Sequence, residues 1–147
     1  MSFRRILVPV DFSNHSDRAL EIARELAKAF GSKLVLLHCY QVNRGAVSPY
    51  GIVLPESFDR EIREAAARRL EQWREKAAAD GVDAEARLSA NLPSMGITDA
   101  ATEEKIDLIV MGTRGLSGIK HVLLGSVAER TLRTAPCPVL TVKHSDR

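Results

Sequence analysis

Between Met111 and Arg130 the chain reads MGTRGLSGIKHVLLGSVAER, with two residues between Gly112 and Gly115, nine between Gly115 and Gly125, and Ser126 following at once. Glycine lets main chain approach a ligand closely, and successive N–H groups can then converge on an anion. A helix opening at Ser126 would add its unpaired amides and the positive end of its dipole. The same residues also describe an ordinary loop with glycines at its turns and a capping serine. On spacing alone the two readings stand level.

Other residues are candidates beside it. Arg114 and Lys120 carry positive charge into the segment, and His121 adds a titratable ring; the charges serve either an anion or the solvent. Asp11, at the end of the apolar run that opens the chain, can accept from a ribose hydroxyl or help hold a divalent cation. Alternatively it stabilises the turn or the helix start behind it. His38 reads as a satisfied histidine within a strand, and His15 and His144 as surface residues. No His, Cys or carboxylate cluster has metal-site spacing, and no GxSxG elbow marks a hydrolytic serine. GxxxxGK[ST] does not occur, and VPVDFSNHS stands where a GxGxxG turn would follow the first strand, against P-loop hydrolases and dinucleotide dehydrogenases.

The elements that must position these residues alternate. Arg4–Val10 and Lys33–Tyr40 are short, nearly continuous apolar runs, as strands covered on both faces require. Between them Asn14–Phe30 carries Ala19, Ile22, Ala23, Leu26, Ala27 and Phe30 at helical spacing, with Ser13 or Asn14 as N-cap and Gly31 as stop. Gln41–Pro55 is a long loop with two glycines and two prolines. Glu56–Asp80 is a charged helix with an apolar line through Phe58, Ile62, Ala66, Leu70, Trp73 and Ala77. Its acids and bases pair along the helix, Glu64 with Arg68 and Glu71 with Arg74, so it reads as a solvated amphipathic face rather than a nucleic-acid surface.

Val82–Ala90 alternates, as a half-exposed edge strand does. Pro93–Glu104 is a helix weakened by Gly96 and Thr98, Ile106–Gly112 a buried strand, Ser126–Thr134 a helix and Cys137–Lys143 a last strand. Strands separated by helices imply a parallel sheet between two helical layers, an α/β three-layer sandwich in one domain over residues 1–147. Ligands of such sheets bind beyond the carboxyl ends of the strands, where strand order reverses. VPVDFS, HCYQV and MGTRG are the tips at that end.

Composition sets limits. The chain has 147 residues, 45% apolar and 27% charged, with a net charge of +2, so no strong field points to nucleic acid or membrane. The apolar run Ile6–Val10 is too short for a signal-peptide core or a membrane span. Cys39 and Cys137, the only cysteines, read as reduced thiols, and the expected location is the cytoplasm.

The stretches ILVPVDFSNHSDRAL and DLIVMGTRGLSGIKHVLLGSVAERTLRTAPCPVLTVK, with the strand–helix order between them, resemble the universal stress protein family over essentially the whole chain. The G-2x-G-9x-G-S/T spacing resembles that family's ATP-binding branch. The resemblance implies a five-stranded parallel sheet of order 3-2-1-4-5, of the adenine nucleotide alpha hydrolase-like type. It implies that Pro9, Val10 and Asp11 line the adenosine end, with Asp11 near ribose or metal, and that Cys39 touches adenine through main chain. Met111 and Gly112 would flank the nucleotide, and Gly115, Gly125, Ser126 and Val127 would hold ribose and phosphates, with Arg114 near them. Mg2+ or Mn2+ would accompany the ATP.

The resemblance further implies a homodimer through Val139–Val142. Asn91-Leu92-Pro93 stands where the family often has Gly-x-Pro, and Asn91 is expected at positive φ. The functional expectation is a stress-response protein that binds ATP and acts as a nucleotide-dependent sensor or regulator. A slow ATPase or autophosphorylating protein is the alternative from the enzyme class, and an interaction module with little nucleotide dependence is a third.

Overall fold

In a computed structural model, which describes residues 2–41, 50–51, 56–116 and 123–145, β1 (Arg5–Pro9) lies at the centre of a five-stranded sheet. Its neighbours are β2 (Lys33–Cys39) on one side and β4 (Leu108–Gly112) on the other. β3 (Ala84–Ser89) and β5 (Val139–Val142) form the two edges, giving the order β3-β2-β1-β4-β5 with every pair parallel. Ile6 sits opposite Leu34 on one flank and Leu108 on the other. The α/β sandwich is the one that the alternation of strands and helices implies, and the strand order is the one that the family resemblance implies.

Alternation along the central strands divides the core in two. Ile6, Val8, Val10, Leu34 and Leu36 face α1 (Asn14–Phe30) and α2 (Glu56–Ala77), meeting Ala19, Leu20, Ala23, Leu70 and Ala77. Leu7, Val35, Leu37, Ile109 and Met111 face α3 (Pro93–Glu103) and α4 (Ser126–Thr134), meeting Ile97, Ala100, Ala101 and Ala128. A strand buried on both faces has no polar side, so its sequence is an unbroken apolar run.

The element ends follow local chemistry. Ser13 caps α1, its hydroxyl accepting from the Ser16 N–H at 3.2 Å, and Gly31 closes the helix in the left-handed conformation at φ 67°. α2 stops at Ala77, short of the expected Asp80, and a 3₁₀ turn (Ala79–Gly81) follows in which Asp80 itself is left-handed. Arg24 and Lys28 of α1 hold the Asp80 carboxylate at 2.9 and 3.5 Å, tying the end of α2 to α1. β5 begins at Val139 rather than Cys137, after Pro138, which has no N–H for the ladder. Asn91 is not at positive φ. Its N–H is taken by Ser89 Oγ at 3.2 Å and its amide by Asp99, so the turn forms without a left-handed residue. Among the described residues no helix is long and apolar enough to cross a membrane.

At the opposite end of the sheet from its carboxyl tips, Glu85 of β3 accepts from Lys33 at 2.7 Å and Arg5 at 3.0 Å. Arg5 also reaches Glu104 at 2.5 Å, and Arg87 bridges Glu104 and Glu103. The Lys33 hydrogen bond, then the Lys33 and Arg5 charges, hold the Glu85 carboxyl below its ordinary 4.5. A depressed carboxylate stabilises the fold above its unfolded pKa, and that contribution is lost as pH falls through the folded one. Glu85 is more than a third exposed, so screening keeps the contribution under about 1 kcal/mol. The melting-temperature gap between wild type and Glu85→Gln, followed by circular dichroism, is therefore expected to be small, greatest near neutral pH, and to close as acid passes below 4.5.

Candidate functional site

The crossover from β1 by α1 leads to one side of the sheet, and β4 lies on the other, so the chain leaves the tips of β1 and β4 in different directions. A cleft of about 630 Å3 opens between them, a size suited to a small-molecule ligand. Pro9, Val10, Asp11, Cys39, Met111, Gly112, Arg114, Gly115, Gly125, Ser126 and Val127 all line it. Every candidate drawn from the resemblance is thus brought to one place. Lys120 and His121, and most of the loop Gln41–Pro55, lie outside the described residues.

Asp11 follows β1 at the floor of the cleft. Its Oδ1 accepts from the Ser13 N–H at 3.0 Å and the Ser16 hydroxyl at 3.1 Å, and its Oδ2 from the Leu116 N–H at 3.0 Å. A carboxylate offers about four acceptor positions, so the protein itself uses most of this one. Of the roles open to Asp11, the structure displays the helix-start role, joined to one the sequence does not suggest: it holds the glycine segment. Next to it Phe12 has φ 66°, a left-handed conformation that is costly for an aromatic residue. Its ring is fixed by three neighbours: His38 at 4.4 Å, Trp73 edge-on at 5.5 Å and the Arg69 guanidinium at 4.5 Å. His38 in turn meets the Val10 carbonyl through Nδ1 at 2.8 Å, the satisfied histidine expected.

The glycine segment is closed at its base, where the Gly125 N–H donates to the Thr113 carbonyl at 2.6 Å. Gly112, Gly115 and Gly125 are not at positive φ; close approach is what requires them. A Cβ on Gly112 would meet His15 of α1 at 2.9 Å, and one on Gly125 the Thr113 carbonyl at 3.2 Å. One on Gly115 would fall inside contact distance of Asp11 Oδ2. Gly125, rather than Ser126, is the N-cap of α4, and no side chain caps that helix. Ser126 is its first helical residue and is exposed, so the first amides of α4 meet the cleft without a protein acceptor from a capping side chain.

Thr113, Pro93, Ile97, Leu124 and Glu129 also line the cleft and carry no motif signal. The Thr113 hydroxyl is buried with no hydrogen-bond partner among the described residues. Glu129 is paired with Arg133 at 2.6 Å. Among the described residues no three His, Cys, Asp or Glu converge as a metal cage, so a cation held here would depend on ligand oxygens as well as protein.

Gly96 corrects its reading as a mere weakness of α3. It is buried, and a Cβ there would meet Cys39 Sγ at 2.7 Å and Ser89 Oγ at 3.0 Å. Its absence lets α3 settle on the tips of β2 and β3. His15 and His144 are likewise not isolated surface residues: both are half-buried, their rings edge-on at 5.4 Å.

The chain matches the universal stress protein family over residues 2–143. It is 41% identical over 150 residues to universal stress protein YxiE of Bacillus subtilis, spanning 96% of this chain and 99% of the relative. The solved structure of protein MJ0577 of Methanocaldococcus jannaschii superposes with a TM-score of 0.86 at 25% identity, over the whole of both chains. A universal stress protein solved in complex with cAMP superposes at 0.73 with 29% identity, over 99% of this chain and all of the other. The chain belongs to the universal stress protein family.

Both thiols are free and half-buried. Burial pushes Cys39 up to about 11, with Ser89 pulling the other way. Cys137 is raised as well, by burial and then by the Asp107 charge. At about 11 the Cys39 thiol is almost wholly protonated at neutral pH and unreactive. Alkylation with iodoacetamide near neutral pH, read by peptide mass spectrometry, is expected to label Cys137 well ahead of Cys39, with Cys39 reacting only as pH approaches 11.

Proposed function

We propose that the chain binds ATP in this cleft and acts as a nucleotide-dependent sensor or regulator in stress response, as a cytoplasmic homodimer. The observation that carries the reading is the meeting, at one end of the β1–β4 cleft, of the glycine segment and an α4 start that no side chain caps. That combination of main-chain donors and a helix dipole suits phosphate. Nucleotide binding by a related protein, the cAMP complex, supports it.

On this reading Pro9, Val10 and the main chain at Cys39 take the adenosine end, where the wall formed by Leu37, Ile97 and Met111 is apolar. Gly115, Gly125, Ser126 and Val127 hold the phosphates, Arg114 adds positive charge, and Met111 and Gly112 flank the nucleotide. Mg2+ or Mn2+ is carried mainly by phosphate oxygens, with at most one acceptor position of Asp11 to spare. Bound ATP supplies a polyanionic tail whose length reports the phosphorylation state. The protein's part is to bind it, to neutralise it with amides, and to exclude water from the base. The output is a change in the surface or partners of the dimer.

Ser126→Asp tests the phosphate assignment cleanly. An acidic residue in the first turn of α4 favours the helix, so the melting temperature is expected to hold or rise. The new carboxylate repels phosphate, and calorimetry should find ATP bound about tenfold or more weaker, near 1.4 kcal/mol, with adenosine unchanged. Equal ATP affinity in the two proteins overturns the assignment. The dimer is read from β5, an edge strand with Leu140 40% exposed, which needs cover. Sedimentation equilibrium of Leu140→Lys is expected to show monomer where wild type shows dimer.

A further inference from the structure

Asp11 has two connections that are separable in chemistry. One oxygen serves α1, taking the Ser13 N–H and the Ser16 hydroxyl; the other serves the glycine segment, taking the Leu116 N–H from 105 residues away. Gly115, beside Leu116, is the residue whose missing side chain admits that second oxygen. Its φ lies outside the left-handed region, so the backbone itself would accept alanine. What forbids a Cβ is the carboxylate, which its three hydrogen bonds hold in place.

We infer that Asp11 is a positioning residue: it clasps the glycine segment to the start of α1, and Gly115 is glycine because of Asp11. The segment then has two fixed points. The Gly125 N–H on the Thr113 carbonyl, at 2.6 Å, shuts its base, and Asp11 holds it again at Leu116, across the tip of β1. The clasp is made wholly of the protein's own groups, which is how a main chain is preorganised for a ligand. Its existence does not depend on what the cleft binds. Its value for phosphate recognition rests on the ATP reading given above.

Two variants and one cycle test it on the ligand-free protein. In Asp11→Asn the amide oxygen can keep both α1 donors, which turns the NH2 group toward the Leu116 N–H, donor against donor. The melting temperature should therefore stay near wild type while hydrogen exchange at the Leu116 amide, read by NMR, accelerates at least roughly tenfold, the order expected for loss of one hydrogen bond to a charged group. Gly115→Ala should reproduce that acceleration by driving the carboxylate aside. It should also lower the folding equilibrium constant roughly tenfold, toward the low end of overpacking effects. In an Asp11→Ala background the same Gly115→Ala change should cost less than about twofold, because the obstructing atoms are gone.

Unchanged Leu116 exchange in Asp11→Asn overturns the clasp, and so does an additive cycle in which Gly115→Ala costs the same in both backgrounds. These results are independent of nucleotide. If exchange and cycle behave as expected and ATP affinity is the same in wild type and Asp11→Asn, the clasp stands and its service to phosphate binding falls.

Discussion

A parallel strand cannot be joined to its neighbour by a short turn; the chain must return along the sheet before pairing again. That one constraint organises the molecule. Because β1 is flanked by β2 on one side and β4 on the other, the segment leaving β1 and the segment leaving β4 part company above the sheet. The crevice between them comes from topology before any side chain is chosen. Residues gathered there, from Pro9 to Val127, are more than a hundred positions apart in sequence yet share one wall. The helices on both faces then make the strands dry, and their dryness gives the apolar runs by which the strands are recognised.

Much of this is legible in the sequence for a physical reason. Periodicity reports burial, and burial reports which element faces what: Leu34 to Leu37 can only be a strand sealed on two sides. Caps are legible as well, since Ser13 and Gly31 do chemistry confined to a few neighbouring atoms. Gly112, Gly115, Gly125 and Ser126 all line the cleft, and their spacing is legible because it is local to one stretch of chain.

The remainder is not legible because it depends on distances through space. Nothing in the neighbourhood of Asp11 announces Leu116, and nothing around Gly96 announces Cys39. The left-handed Phe12 is a further case: an aromatic residue is a poor choice for that conformation, and only the packing of His38, Trp73 and Arg69 explains its survival. The glycines teach a related lesson. Glycine has two physical uses, conformational freedom and small size, and at Gly112, Gly115 and Gly125 it is small size that the fold requires.

The short hydrogen bond between Gly125 and Thr113 has a consequence for how such a molecule can vary. Thr113 is joined to Gly125 at 2.6 Å and Leu116 is held by Asp11, so the part of the sequence left outside these ties is what lies between Leu116 and Gly125. Lengthening a loop whose ends are already joined costs only slowly growing entropy, and neither β4 nor α4 has to move to accommodate it. Positions between Leu116 and Gly125 can therefore diverge among descendants while the sheet, the helix start and the crevice stay in register. Selectivity at this site is free to change on one timescale and the scaffold on another.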